Sequence, residues 1–135
     1  TLYGDWKSKY KILLVDDEQI YLEAHREEFE AIGYEVQTAL TGKEAIAVAG
    51  NERFDIAYVD LVMPDTNSVD ICKEIKKVYP ETEVVLVSGH PEEILKYKAQ
   101  FVNAGGREEI LKKPLGDKEL INMTEKIMKE KEGRG

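Results

Sequence analysis

The sequence predicts a doubly wound α/β domain with a five-stranded parallel sheet. Three observations carry that prediction. Apolar runs alternate with helical patterns from residue 11 to about residue 132. Three of the five runs are nearly continuous in Ile, Leu and Val, as strands covered on both faces must be. The length of 135 residues suits one domain with a real core.

The first strand is read at 11–15 (KILLV). A helix follows at 18–32, with Ile20, Ala24 and Ala31 on one line and Leu22, Phe29 and Ile32 widening the apolar arc; Gly33 stops it. The second strand, 34–38 (YEVQT), is more polar, as an edge strand would be. The helix at 42–50 opens on Thr41-Gly42-Lys43-Glu44, a capping-box pattern, and ends near Gly50. The third strand, 55–59 (DIAYV), leads to a helix at 67–78 that ends before Pro80. The fourth strand, 83–87 (EVVLV), precedes a helix at 91–103, whose Pro91, Glu92 and Glu93 suit the positive end of a helix. The fifth strand is read at 109–112 (EILK) and the last helix at 117–131, with Leu120, Thr124 and Ile127 at helical spacing beside Met123 and Met128. Residues 1–9 read as an N-terminal extension, 10–131 as the domain and 132–135 as a C-terminal tail.

Composition narrows the function. Twenty-seven acids against nineteen bases give a net charge of −8. That balance argues against direct binding to a nucleic-acid backbone. A single cysteine, Cys72, supports neither a disulfide framework nor a zinc cluster and suits a reducing cytoplasm. The apolar runs are too short to span a bilayer, and the N-terminus lacks a signal-peptide pattern, so no membrane role is expected.

In doubly wound sheets the working site lies beyond the C-terminal ends of the strands. Strand one ends in Asp16-Asp17, strand three in Asp60, strand four in Ser88-Gly89, and strand five is followed by Lys112-Lys113-Pro114. One sheet edge thus collects three aspartates, a hydroxyl and a lysine. Clustered aspartates form a hard, oxygen-rich site suited to Mg²⁺. A carboxylate beside such a metal can attack phosphorus to give an aspartyl phosphate, while metal and ammonium stabilise the phosphoryl oxygens. Ser88 can hydrogen-bond a phosphoryl oxygen, and Gly89 leaves room for its approach.

With VDDE at 15–18, VDLVMP at 59–64, VSG at 87–89 and KKPL at 112–115, the chain resembles the receiver domain of two-component response regulators over residues 10–131. The resemblance implies a CheY-like, flavodoxin-like (βα)5 fold with strand order 2-1-3-4-5. It makes Asp60 the phosphoacceptor. Asp17 would bind Mg²⁺ directly and Asp16 largely through water, with Asp60 and the Val62 carbonyl as further ligands. Ser88 would be the switch hydroxyl and Lys113 the phosphate-contacting lysine, its loop held by Pro114, often through a cis peptide bond. The phosphoryl donor would be a phosphohistidine on a sensor histidine kinase or phosphotransfer protein. The domain would be a signalling phosphoacceptor that assists its own phosphotransfer and dephosphorylation. The face of the fourth helix, fifth strand and fifth helix would engage an output domain, a protein partner or a second copy, with Tyr97, Arg107, Glu108 and Glu109 as candidate contacts.

Three positions depart from the family pattern. Ile110 replaces the aromatic switch residue on strand five, so a Tyr/Phe rotamer switch is ruled out there. Asp65-Thr66-Asn67-Ser68 lacks the glycine common before the third helix, leaving Asn67 or Ser68 to cap it. Val62 and His90 occupy positions that tune phosphate lifetime: Val62 offers no side chain to orient water, and His90 could act the other way. The alternative function is a receiver-like interaction module that signals without phosphate, motivated by Ile110. A multi-turnover phosphatase is disfavoured because Val62 is no general acid. His25 reads as a partly covered surface histidine, Cys72 as packing, and Glu18 as serving the helix start. Thr41–Glu44 lacks the remainder of a phosphate loop.

Overall fold

The computed structural model describes residues 10–134, so the expected extension at 1–9 lies outside the described residues. The elements alternate without exception: β1 (Lys11–Val15), α1 (Gln19–Ala31), β2 (Glu35–Ala39), α2 (Gly42–Asn51), β3 (Ile56–Asp60), α3 (Ser68–Val78), β4 (Glu83–Ser88), α4 (Pro91–Asn103), β5 (Ile110–Lys112) and α5 (Glu119–Arg134). All five strands pair in parallel, as the apolar patterning leads one to expect, and in the order β2-β1-β3-β4-β5 that the resemblance implies. Most predicted boundaries agree within two residues; α5 continues to Arg134, through most of the segment read as a tail.

Alternation along the strands builds two cores. Leu13, Val15, Ala57, Val59, Val84 and Leu86 face α2, α3 and α4, where Ile71, Ile75 and Phe101 meet them. Ile12, Leu14, Ile56, Tyr58, Val85 and Val87 face α1 and α5, meeting Leu22, Phe29, Leu120 and Ile127. This two-sided burial explains why β1, β3 and β4 are uniformly apolar. Tyr58 brings its hydroxyl into the second core, where it lies 2.6 Å from Thr124 Oγ1 and donates to the Leu120 carbonyl at 3.3 Å. Thr124, on the apolar line of α5, therefore satisfies a buried polar group.

One local expectation fails, at Ile20, and one left open between two residues is decided, at Asn67. Ile20 is 87% exposed, so the buried face of α1 rests on Leu22 and Phe29 instead. A helix of 3.6 residues per turn cannot turn both Ile20 and its close neighbour Leu22 inward, and the larger core cluster selects Leu22. At α3, Asn67 is the cap: its side-chain oxygen accepts from the amides of Val69 at 2.9 Å and Asp70 at 3.1 Å. Ser68 is left fully buried with an Oγ that finds no partner among the described residues. Ser68→Ala is expected to stabilise the protein by about 1 kcal/mol, read as a higher denaturant midpoint at unchanged m, because the variant removes an unpaired buried hydroxyl.

Candidate functional site

Strand register builds the site before any side chain is considered. Val15 lies opposite Val59, Asp60 opposite Val87, and Ser88 opposite Lys112. Asp16, Asp60, Ser88 and Lys113 therefore emerge along one edge. Asp16 and Ser88 are each 1% exposed and Asp60 is 7% exposed, whereas Asp17 and Glu18 are open to solvent.

The lysine selects a specific partner. Lys113 Nζ donates to Asp16 Oδ2 at 2.5 Å and stands 3.7 Å from Glu18 Oε1. Asp16 Oδ1 accepts from the Glu18 amide at 2.9 Å, so both carboxylate oxygens are engaged. The peptide bond Lys113–Pro114 is cis. Beneath the ammonium lies Tyr21, its ring centre 4.4 Å from Lys113 Nζ, a cation–π contact. Tyr21 stands in turn edge-on to His25, with centroids 4.5 Å apart. Burial, with the charges of Asp16 and Asp60, pushes the Tyr21 hydroxyl above its ordinary range, keeping it neutral.

Burial also pushes the Asp60 carboxyl up to about 6; the charge of Lys113 opposes that shift, and those of Asp16 and Asp17 add to it. Asp16 is raised by burial as well, against the hydrogen bonds it receives from Lys113 and the Glu18 amide. For Lys113, burial favours the neutral amine. The hydrogen bond to Asp16 and the surrounding carboxylates outweigh it, so the ammonium is held above its usual range. The site holds more negative charge than one lysine offsets.

That imbalance fits a divalent cation. Asp16, Asp17 and Glu18 each offer a carboxylate oxygen, all within 4.8 Å of one another. An all-oxygen donor set is what Mg²⁺ prefers, and the ammonium against Asp16 is itself a cation drawn to this charge. Asp60 is not among those three. Glu18, read from sequence as a helix-start residue, occupies the N-cap of α1 but makes no side-chain cap bond. Its carboxylate is instead left beside the two aspartates.

Around the site, Ser88 Oγ accepts from the His90 amide at 3.0 Å, which leaves the hydroxyl proton free to be donated elsewhere. His90 is the N-cap of α4, again without a side-chain cap bond. Val62 is 44% exposed, and its backbone bridges Asn67 across the β3–α3 loop. Ile110 sits beside Leu86 on the sheet and packs against the core shared with α4. Tyr21 and Glu18 were not singled out as site residues from sequence. The available signal was their place in the first turns of α1, directly after Asp16-Asp17.

Arg107 and Glu109 lie elsewhere. Arg107 is largely buried in ion pairs with Glu83 at 2.8 Å, Glu109 at 3.0 Å and Glu130 at 2.8 Å, beside the start of β4 rather than its functional end. Of the charged patch suggested as a partner surface, Glu108 is the exposed member.

Comparison with known proteins identifies the family to which this fold belongs. The family model for the response regulator receiver domain matches residues 12–125. The response regulator SaeR of Staphylococcus aureus is 33% identical over 110 residues, covering 82% of this chain and 46% of SaeR. The chain thus spans less than half the length of the curated relatives it matches. A CheY-like receiver domain protein from Methanospirillum hungatei superimposes with a TM-score of 0.82 at 28% identity, over 93% of this chain and 98% of that one. The response regulator TrrA of Thermotoga maritima, solved in complex with Mg²⁺ and a beryllium fluoride, gives 0.73 at 26% identity, over 87% and 98%. With its fold, strand order and matched length all in agreement, this chain belongs to the response regulator receiver domain family of two-component systems.

Proposed function

We propose that the protein is a signalling switch that accepts a phosphoryl group on Asp60 in a Mg²⁺-dependent reaction, the donor being a phosphohistidine on a sensor histidine kinase or phosphotransfer protein. The observation that carries this reading is the convergence of buried Asp16, Asp60 and Ser88 with Lys113 at one sheet edge, where Lys113 Nζ stands 2.5 Å from Asp16.

Each residue then has a task. Asp60, as carboxylate, attacks phosphorus; a P–O bond forms as the donor's P–N bond breaks, and the imidazole leaves. Asp16, Asp17 and Asp60, with the Val62 carbonyl, would hold Mg²⁺, which when bound offsets their charge and steadies the transferred oxygens. Glu18 stands near enough to adjust that site's charge. Lys113 exchanges its contact with Asp16 for a phosphoryl oxygen, while the Tyr21 ring continues to support the ammonium. Ser88 donates its hydroxyl proton to a second phosphoryl oxygen. Ile110, already packed inward, would relay the change by repacking rather than by an aromatic flip. Val62 and His90 border the acceptor and would set how readily water reaches the phosphate.

The reading places residues 10–131 as the receiver unit, working in the cytoplasm where such kinases present their phosphohistidine. No helix among the described residues is long and apolar enough to cross a membrane. The output would pass through the face of α4, β5 and α5 to an attached domain, a partner or a second copy. Leu95, 86% exposed on α4, offers an apolar contact there, while Tyr97, two residues on, is half-buried against the core. Beryllofluoride, a phosphoryl mimic, tests the site: saturable binding that needs Mg²⁺ and is absent in Asp60→Asn is expected. Equal binding with and without Mg²⁺ would count against it.

A further inference from the structure

The β3–α3 loop, residues 61–67, bears the Val62 backbone two residues beyond Asp60, and an unusual tie holds it. Asp65 reaches out of the loop to the first turn of α2, where Oδ1 accepts from the Gly42 amide at 2.8 Å and Oδ2 from the Lys43 amide at 2.9 Å. Free amides at a helix start are strong donors to a carboxylate, which they also favour electrostatically. The fit at Gly42 is close: a Cβ there would lie 2.0 Å from the Thr66 methyl. Only glycine lets the loop approach α2 so nearly.

Within itself the loop is weakly held. The Met63 amide donates to the Thr66 carbonyl at 3.3 Å, the Ser68 amide to Leu61 at 3.3 Å, and Val62 bridges Asn67. Leu61 and Met63 anchor the loop in the core, and the two short bonds made by Asp65 add a polar link from its outer turn to α2. They divide the capping of α2 with Thr41: Asp65 takes the Gly42 and Lys43 amides, while Thr41 Oγ1 accepts from the Glu44 amide at 3.1 Å, so only the Asp65 bonds tie the helix start to the loop.

We propose that Asp65 is a positioning residue: by clamping the β3–α3 loop to α2, it fixes the Val62 backbone relative to Asp60 and so sets the affinity of the site for Mg²⁺. This rests on the reading of the Val62 carbonyl as a ligand. Residues that orient metal ligands without touching the metal commonly change affinity by an order of magnitude or more, so Asp65→Ala should weaken Mg²⁺ binding about tenfold. It should also speed hydrogen exchange at the Met63 amide in metal-free protein, because the loop bond to Thr66 then opens more readily. Asp65→Asn, which keeps one acceptor oxygen, should recover part of both.

The decisive comparison is Mg²⁺ titration of wild type, Asp65→Ala, Asp65→Asn and Thr41→Ala by amide chemical shifts, with exchange measured in parallel. Thr41→Ala removes a cap from the same helix without touching the loop, so it should lower Tm yet leave Mg²⁺ affinity within about twofold. Gly42→Ala, which drives a methyl into Thr66, should behave as Asp65→Ala does. Unchanged affinity in Asp65→Ala, or equal weakening in Thr41→Ala, overturns the proposal. A wild type that binds no Mg²⁺ overturns the underlying reading of the site, and this proposal with it.

Discussion

Arg107→Ala is expected to lower folding stability by about 3 kcal/mol, a fall in Tm of roughly 10 °C. Arg107 precedes β5, and its amide donates to the Val84 carbonyl at 2.9 Å. Its guanidinium, 12% exposed, binds Glu83 from β4, Glu109 before β5 and Glu130 from α5. The pair with Glu109 is bidentate, both contacts being 3.0 Å. Removing the cation leaves Glu109 with Lys126 at 3.2 Å and Glu83 with Lys131 at 3.9 Å, and takes from Glu130 its contact at 2.8 Å. Repulsion and the vacated space then add to the lost bonds. The same interaction has a pH signature. Arg107 holds the Glu109 carboxyl down to about 2, below its ordinary value of 4.5. A depressed acid stabilises the fold above its unfolded pKa and loses that contribution as pH falls through the folded one. The gap between wild type and Arg107→Ala should therefore be widest above pH 4.5 and narrow toward pH 2, as thermal melts across that range would show. A gap that stays constant with pH would assign the loss to packing alone.

Asp60→Asn should have the opposite effect on stability while abolishing phosphorylation. Burial raises the Asp60 carboxyl from 3.8 to about 6. Between those values the native state binds more protons than the unfolded chain, so stability falls as pH rises through the window and the penalty is complete above it. Asparagine carries no such charge. The metal-free variant should be more stable than wild type by about 1–2 kcal/mol at pH 7–8, allowing for solvent screening at the site's open mouth. The advantage should vanish near pH 4, where both proteins are neutral at that position. Adding Mg²⁺ should raise the Tm of wild type more than that of the variant, because a cation offsets the charge responsible. A variant less stable than wild type in metal-free buffer would show that Asp60 is not the strained member of this cluster.

The sheet and the ends of its strands were legible because they follow from local patterns. KILLV, DIAYV and EVVLV can be buried only on two sides, and parallel register then puts whatever follows them on one edge. Asp16, Asp60, Ser88 and Lys113 were readable for that reason. Partner choice was not legible. Lys113 lies 97 positions from Asp16 in the chain, and only the assembled edge decides that its ammonium turns to Asp16 with Tyr21 beneath it. Asp65 looked like a turn residue lacking a glycine, since its function depends on Gly42 arriving from another βα unit. Arg107 in GGREE was read as a candidate partner contact, yet three elements converge on it. Ile20 fell on the apolar arc by periodicity alone, and packing around Leu22 and Phe29 determined otherwise.

The central claim is that Asp60 is a Mg²⁺-dependent phosphoacceptor, and intact mass after incubation with a small acyl phosphate tests it most directly. Wild type should gain the mass of one phosphoryl group in Mg²⁺ and none in chelator, with the label on the peptide bearing Asp60 and absent from Asp60→Asn. No gain in Mg²⁺, or a gain that persists undiminished in Asp60→Asn, would contradict the account.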